Sequence, residues 1–287
     1  MKDEARSLGK GISITLLVLF GATCIFPASC EDMSFGPQTT GGEPLWGLLT
    51  AADAASSNLS AIEAALVDAS IALSGSGIDG PVAVGILSNL TMADASVIDC
   101  ITIDANGTVR EVQPASFEAI KGVNLKRQRH VNDTINSRLY SGFHFIMSVE
   151  GLNAIDSEMP VFDKDGTFIG TVSFMFNSSD FFERILAPYQ PAGDSKIWVM
   201  TADDGTILYE TDPSQQFLNK SSDVYQPYPS ILELINRISS ERTGYGTYEF
   251  LDQSHQETIL NGCYWTTIPN MGTEIRILLT LELDPKI

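Results

Sequence analysis

The longest regular pattern lies near the start of the chain. From Pro44 to Leu73, Leu48, Leu49, Ala52, Ala55, Leu59, Ile62, Ala65, Leu66 and Ala69 recur at three- and four-residue steps without an internal proline. That period predicts an amphipathic helix of roughly 30 residues, and Gly75-Ser76-Gly77 predicts its end. A shorter helix is predicted over Val82–Leu90. Beyond it the period drops to two. Val97–Ile103 and Val109–Val112 flank the turn Asp104-Ala105-Asn106-Gly107 and predict a hairpin. Phe117–Asn136 is mixed and reads as helix or lid. Phe143–Val149 reads as a strand with His144, Ile146 and Ser148 opposite Phe143, Phe145, Met147 and Val149. A second hairpin follows, in which Met159–Phe162 and Phe168–Phe176 flank Asp163-Lys164-Asp165-Gly166. On its second strand Phe168, Val172, Phe174 and Phe176 are expected on the core face. Thr171, Ser173 and Met175 take the other face, polar enough to line a pocket. Asp180–Leu186 reads as a short closing helix.

The pattern then starts again. Ile197–Thr201, the turn Ala202-Asp203-Asp204-Gly205 and Ile207–Tyr209 repeat the first hairpin at a spacing of roughly a hundred residues, as a duplicated unit would. Ile231–Ile238 reads as helix; Gly246–Leu251, Thr258–Ile268 and Glu274–Glu282 read as strands. The expected fold class is α+β, with tandem units of about five antiparallel strands each, strung along one long N-terminal helix. The expected boundaries are 1–30 for a leader, 31–43 for a Gly/Pro/Thr-rich tether, 44–79 for the long helix, 80–190 for the first unit and 191–287 for the second.

Charge and composition narrow the setting. Lys2, Arg6 and Lys10 precede the uncharged stretch Gly11–Cys30, the form of an export signal. Ala28-Ser29-Cys30 is similar to the end of a lipobox, which would make Cys30 a lipidated N-terminus; the alternative is an uncleaved membrane anchor over the same stretch. Both place the body outside the cytoplasm, membrane-attached through its N-terminus. The formal net charge of −19 speaks against nucleic acid and anionic lipid surfaces, which need a basic footprint. Cys100 and Cys263, far apart in strand-like segments, read as buried small hydrophobes. His130, His144 and His255 are scattered without metal-ligand spacing, so no metal or cofactor is expected. No nucleophile elbow or phosphate loop is present, and Asp163, Asp165, Asp203 and Asp204 read as turn residues. A binding protein is therefore expected rather than an enzyme, with a cell-surface hydrolase or a structural or adhesive envelope protein as alternatives.

Several segments resemble one family. They are Met159–Val172 (MPVFDKDGTFIGTV), Gly122-Val123-Asn124-Leu125 with the following Arg127–Ile135, and, in the second unit, Gly244–Phe250 (GYGTYEF), Tyr264–Ile268 (YWTTI) and Gly272–Glu282. Together they are similar to the double Cache (PAS-like) extracellular sensor domains of prokaryotic receptors, over about residues 44–284. The resemblance implies a small-molecule ligand held between the first, membrane-distal sheet and the segment covering it. The residues it points to are Arg127, Arg129, His130, Tyr140, His144, Ser148, Ser173 and Met175, with Thr171 beside them. The family's amino-acid-binding branch has Arg-x-Trp-Tyr here and an Asp on the last strand. This chain has Arg127-Gln128-Arg129-His130-Val131 and Met175 instead. Two arginines and two histidines without a facing carboxylate suit an organic anion. The second unit offers only Arg276 as an inward-capable cation. Family receptors usually continue through a second membrane helix, whereas here the last strand is followed only by Leu283-Asp284-Pro285-Lys286-Ile287. The expectation is a surface sensor without its own output domain, working with a membrane receptor or transporter.

Overall fold

A computed structural model describes residues 42–149, 151–193, 195–252 and 257–283. The leader with Cys30, nearly all of the tether and His255 lie outside the described residues.

Helix α1 (Gly42–Ser76) is the spine. Leu48, Ala52, Ala55, Leu59, Ile62, Leu66, Ala69 and Leu73 form one buried stripe along it, the face that the three- and four-residue spacing predicts. Each fully buried Leu or Ile there stabilises the fold by about 1.5–3 kcal/mol. The stripe packs on strands of both sheets, Asn153–Phe162 and Phe168–Phe176 in the first unit and Glu257–Ile268 and Ile275–Glu282 in the second. α1 is also the one described helix long and apolar enough to cross a membrane; its buried stripe makes it a core helix. It ends where Gly77 takes φ +83 and returns its N–H to the Leu73 carbonyl.

The first unit holds α2 (Gly80–Leu90), β1 (Val97–Asp104), β2 (Val109–Gln113), α3 (Arg129–Ser137), β3 (Phe143–Met147), β4 (Asn153–Phe162), β5 (Phe168–Phe176) and α4 (Ser178–Leu186). Its sheet has the order β2-β1-β5-β4-β3. The second unit holds β6 (Lys196–Thr201), β7 (Ile207–Tyr209), α5 (Pro229–Ser240), β8 (Gly244–Asp252), β9 (Glu257–Ile268) and β10 (Ile275–Glu282). Its order, β7-β6-β10-β9-β8, is the same topology repeated. Every named pairing is antiparallel.

The units share one apolar core, running from Phe174, Phe176 and Phe181 to Ile197, Val199 and Ile277. They are also joined by backbone. The Phe143 N–H donates to the Met271 carbonyl at 2.7 Å, and the Thr273 N–H donates to the Phe143 carbonyl at 2.6 Å. The first residue of β3 thus pairs with the β9–β10 turn of the other unit. Gly142 and Gly272, at φ +78 and +93, make this approach possible, since a Cβ on Gly272 would lie 2.2 Å from the Phe143 oxygen.

One strand face departs from simple alternation. Val172, Phe174 and Phe176 enter the shared core as expected. Phe168 does not: it packs with Ile101, Ile103 and Val109 on the opposite side. The β4–β5 register shifts between Val161 and Phe162, so Phe162 pairs with Phe168 and Val161 with Gly170. The extra residue of this bulge, Ile169, takes the core side instead.

Candidate ligand-binding pocket

The open face of the first sheet is covered by the segment between β2 and β3. A 3₁₀ helix (Ala115–Ile120) and α3 lie over it, and Phe117, Ile120, Leu125, Val131 and Ile135 pack down onto Ile101, Ile103 and Val109. Gly107, at φ +89, lets this lid pass close: its carbonyl accepts from the Leu125 N–H at 2.7 Å, and a Cβ would strike Lys126.

Strand pairing sets what faces the lid. In one cross-strand row Asp99 (β1) pairs with Met175 (β5), Met175 with Asp156 (β4), and Asp156 with His144 (β3). In the next row Ile101 pairs with Ser173, and Ser173 with Glu158. Asp156 and Glu158 are two residues apart on one strand and share a face. Between sheet and lid Asp99, Asp156, Glu158, Ser173 and Met175, but not His144, line a pocket whose other walls are mainly apolar, among them Ile101, Ile103, Val131 and Ile146. Its space for a water-sized sphere is about 20 Å³, room for a water or two. Three carboxyls enter the lining, and no Lys or Arg does among the described residues.

Two of the carboxyls are held very differently. Asp156 is satisfied on both oxygens: Oδ2 lies 2.9 Å from His130 Nε2, and Oδ1 accepts from the Ser173 hydroxyl. Burial disfavours the charged ring of His130, but the hydrogen bond and charge of Asp156, helped by Glu158 and Asp133, outweigh it and raise its pKa. Glu158 is fully buried. Its Oε1 accepts from the Thr171 hydroxyl at 3.3 Å, while Oε2 has no donor in hydrogen-bonding geometry among the described residues; the Thr134 hydroxyl, which donates to the His130 carbonyl, lies close enough to pull the Glu158 pKa down. Burial, then the neighbouring Asp156 charge, push its pKa up to about 8 despite the opposing pull of His130. His144 stacks on His130 with centroids 5.7 Å apart and shares a hydrogen bond with the Ser141 carbonyl at 2.7 Å. Burial lowers its pKa, and the charge of His130 adds to that.

The structure sorts the residues expected in the pocket. Ser148, Ser173 and Met175 line it. His130 is buried against it through Asp156, His144 stands behind His130, and Thr171 lies buried beside Glu158. Arg127 and Arg129 are exposed. Arg129 is 95% exposed and paired with Asp133 at 3.5 Å, because α3 buries His130, Val131, Thr134 and Ile135 and turns the position before them to solvent. Tyr140 is on the wrong side of the sheet: its hydroxyl accepts from Ser157, whose neighbours Ile155 and Val161 belong to the shared core. Val149, expected on the core face, lines the pocket, since β3 ends at Met147. The expectation of a pocket with cations and no facing carboxylate is therefore corrected. The carboxylates stand on both strands flanking Met175.

The equivalent face of the second sheet is filled. Met200, Cys263, Trp265 and Leu278 pack against Ile231, Leu234, Ile235 and Ile238 of α5. Arg276, only 1% exposed, donates to the carbonyls of Ile238 and Glu241. Cys100 and Cys263 are free and buried, as the sequence predicts.

Residues 57–178, the second half of α1 and the first sheet, match the sequence family described as "HK/GC/Chemotaxis protein-like, sensor domain". The fold is that of double Cache sensor domains. An extracellular ligand-binding receptor from Desulfohalobium retbaense is similar at 26% identity and a TM-score of 0.71, over 84% of this chain and 41% of that one. The chain thus spans less than half of that receptor. The ligand-binding domain of the Pseudomonas aeruginosa amino acid chemoreceptor PctB, solved with L-Gln, superposes over 83% of this chain and 89% of its own at TM-score 0.59 and 14% identity. That of PctC, solved with GABA, does so over 83% and 96% at 0.56 and 14%. At such identities the likeness is one of fold. No curated protein matches the sequence significantly.

Proposed function

We propose that this double Cache chain is an extracytoplasmic sensor that binds a small solute in its first unit and acts by binding rather than by catalysis. One observation carries the reading: Glu158, a fully buried carboxyl, lines a pocket, and one of its oxygens has no donor in hydrogen-bonding geometry among the described residues. Buried polar atoms are normally satisfied, and those that are not point to a role. At the equivalent face of the second unit α5 side chains occupy the space, and the buried Arg276 Nη1, without a hydrogen bond of its own, lies 3.2 Å from Glu274 Oε1. Chemoreceptor domains of this fold bind amino acids and GABA, which supports a solute of similar size here. The paired backbone of Phe143 and Gly272 gives β3, whose Ile146 lines the pocket, a direct connection to the second unit. The N-terminal segment holds the body at the outer membrane face, through a lipid on Cys30 or through the apolar stretch itself.

A thermal-shift screen of amines, amino acids, carboxylates and purines on the wild type and Glu158→Gln tests this reading. A ligand that stabilises only the folded state raises the melting temperature. The expected hit raises it in the wild type and loses most of its effect in Glu158→Gln. A hit equally effective on both, and lost when Arg276 is changed, would place the site in the second unit.

A further inference from the structure

We propose that the pocket takes a small organic cation, an amine on a short apolar body without a carboxylate of its own. The inference rests on the reading that the first-unit pocket is the ligand site, and it names the ligand's chemistry.

Three features of the lining converge on it. The first is charge. Asp99, Asp156 and Glu158 all enter the pocket, and no Lys or Arg does among the described residues. The one cationic group against it, His130, is already bonded to Asp156. A free amino acid needs a partner for its carboxylate, ordinarily a guanidinium offering two parallel N–H bonds. Arg127 and Arg129, which could have supplied it, face solvent. A carboxylate ligand would instead meet like charge at close range in a low-dielectric site. The second is the open acceptor: Glu158 lines the pocket and its Oε2 has no donor in hydrogen-bonding geometry among the described residues, and an ammonium has N–H donors and no acceptor. An ammonium there would hold Glu158 in its ionised form, displacing the proton that burial favours, and would satisfy this oxygen. The third is shape. Apart from the carboxyls the lining is mostly Ile101, Ile103, Val131, Ile146 and Met175, and the free space is about 20 Å³. As it stands that space holds little more than a water, so an apolar body of even a few heavy atoms enters only if the lid moves outward.

The test is calorimetric titration of the purified full chain with three sets of probes on matched carbon bodies. They are ethylamine and isobutylamine, the corresponding amino acids alanine and valine, and the corresponding acids propanoate and 3-methylbutanoate. We expect at least one amine to bind at least tenfold more tightly than its amino acid and its acid. Glu158→Gln and Asp99→Asn, both isosteric, should each weaken that binding about ten- to a hundredfold, the usual loss for a charged hydrogen bond. Circular dichroism melts of each variant show that it is folded. Failure of the two readings is distinguishable. Valine or 3-methylbutanoate binding as tightly as the amine, and weakened by these variants, retains the pocket and overturns the ligand class. No binding by either amine also overturns the class. Amine binding that both folded variants leave unchanged overturns the pocket as the site.

Discussion

His130 Nε2 and Asp156 Oδ2 stand 2.9 Å apart with both side chains about 95% buried, tying the lid helix α3 to the floor strand β4. Lys121 and Glu111, 2.6 Å apart, also pair the lid with the sheet, but at a half-exposed lysine; His130–Asp156 is the buried pair. Breaking a buried pair by removing one partner typically costs about 3–5 kcal/mol, because the other is left without compensation.

Asp156→Ala should therefore destabilise the fold by about 3–5 kcal/mol. It strands His130 and also leaves the Ser173 hydroxyl without its acceptor. Asp156→Asn, which keeps the shape and an acceptor oxygen, should cost less. Urea unfolding measures both, and a loss below about 1 kcal/mol for Asp156→Ala would mean that the pair does not hold the lid.

Glu158 should make the protein less stable as pH rises. Its folded pKa is pushed up to about 8 from an ordinary 4.5, so between those values the folded state holds a proton that the unfolded state has released. Stability then falls with rising pH across that window, by up to about 1.4 kcal/mol per unit. His130, raised above 6.5, acts in the same direction, its contribution being lost as pH climbs through its folded pKa. His144, lowered, opposes them, and its contribution is lost as pH falls through its folded value below 6.5. Asp99, Asp156 and Asp133 are the other ionisable groups around this cluster. Melting temperatures measured between roughly pH 5 and 8 should decline, and Glu158→Gln should flatten the decline. An unchanged slope in the variant would place the titration elsewhere.

Much of this arrangement is legible in the sequence, and the misreadings have specific causes. The alternation of Val172, Phe174 and Phe176 with Thr171, Ser173 and Met175 separates core from pocket correctly because β5 is regular there. It fails at Phe168 because a bulge intervenes, whose one mark in the sequence is the isolated strand glycine Gly170, at φ +151. Arg129 and His130 are neighbours in sequence, yet on a helix they point about 100° apart, and only the helix start decides which is buried. The carboxylates are harder to place. Their signal is present: Ala154–Val161 reads Ala-Ile-Asp-Ser-Glu-Met-Pro-Val, and extending β4 back from Met159 puts Asp156 and Glu158 on one face. Asp99 sits likewise in the alternating strand Val97–Asp104. What the one-dimensional pattern does not carry is that β1 and β4 both border β5, so that carboxylates 57 residues apart, at 99 and 156, flank the same Met175.

The junction between the units should depend on a single missing Cβ. Gly272→Ala would put a methyl group 2.2 Å from the Phe143 carbonyl oxygen at φ +93, breaking the bridge as well as straining the backbone. Gly151→Ala, also at positive φ but with nothing within 4 Å of its Cβ, isolates the strain alone. Gly272→Ala should cost more than about 1 kcal/mol and more than Gly151→Ala, and should speed hydrogen exchange at the Phe143 and Thr273 amides. Equal costs and unchanged exchange would remove the bridge from the account.

Lipidation of Cys30 has a simple consequence. Two acyl chains would hold the protein stably at the membrane, so Cys30→Ser should release it or leave an unprocessed precursor of higher mass. Full retention at unchanged mass would instead identify Gly11–Cys30 as a membrane-spanning anchor.

The central claim, an amine held by carboxylates in the first unit, is tested most directly by a crystal structure of the chain grown with isobutylamine. The account predicts density for the amine beneath the lid, its nitrogen within about 2.7–3.2 Å of Glu158 Oε2 and of a second carboxylate from Asp99 or Asp156. Amine density only against α5 and Arg276 in the second unit, or an organic acid occupying the first-unit pocket in its place, would contradict it.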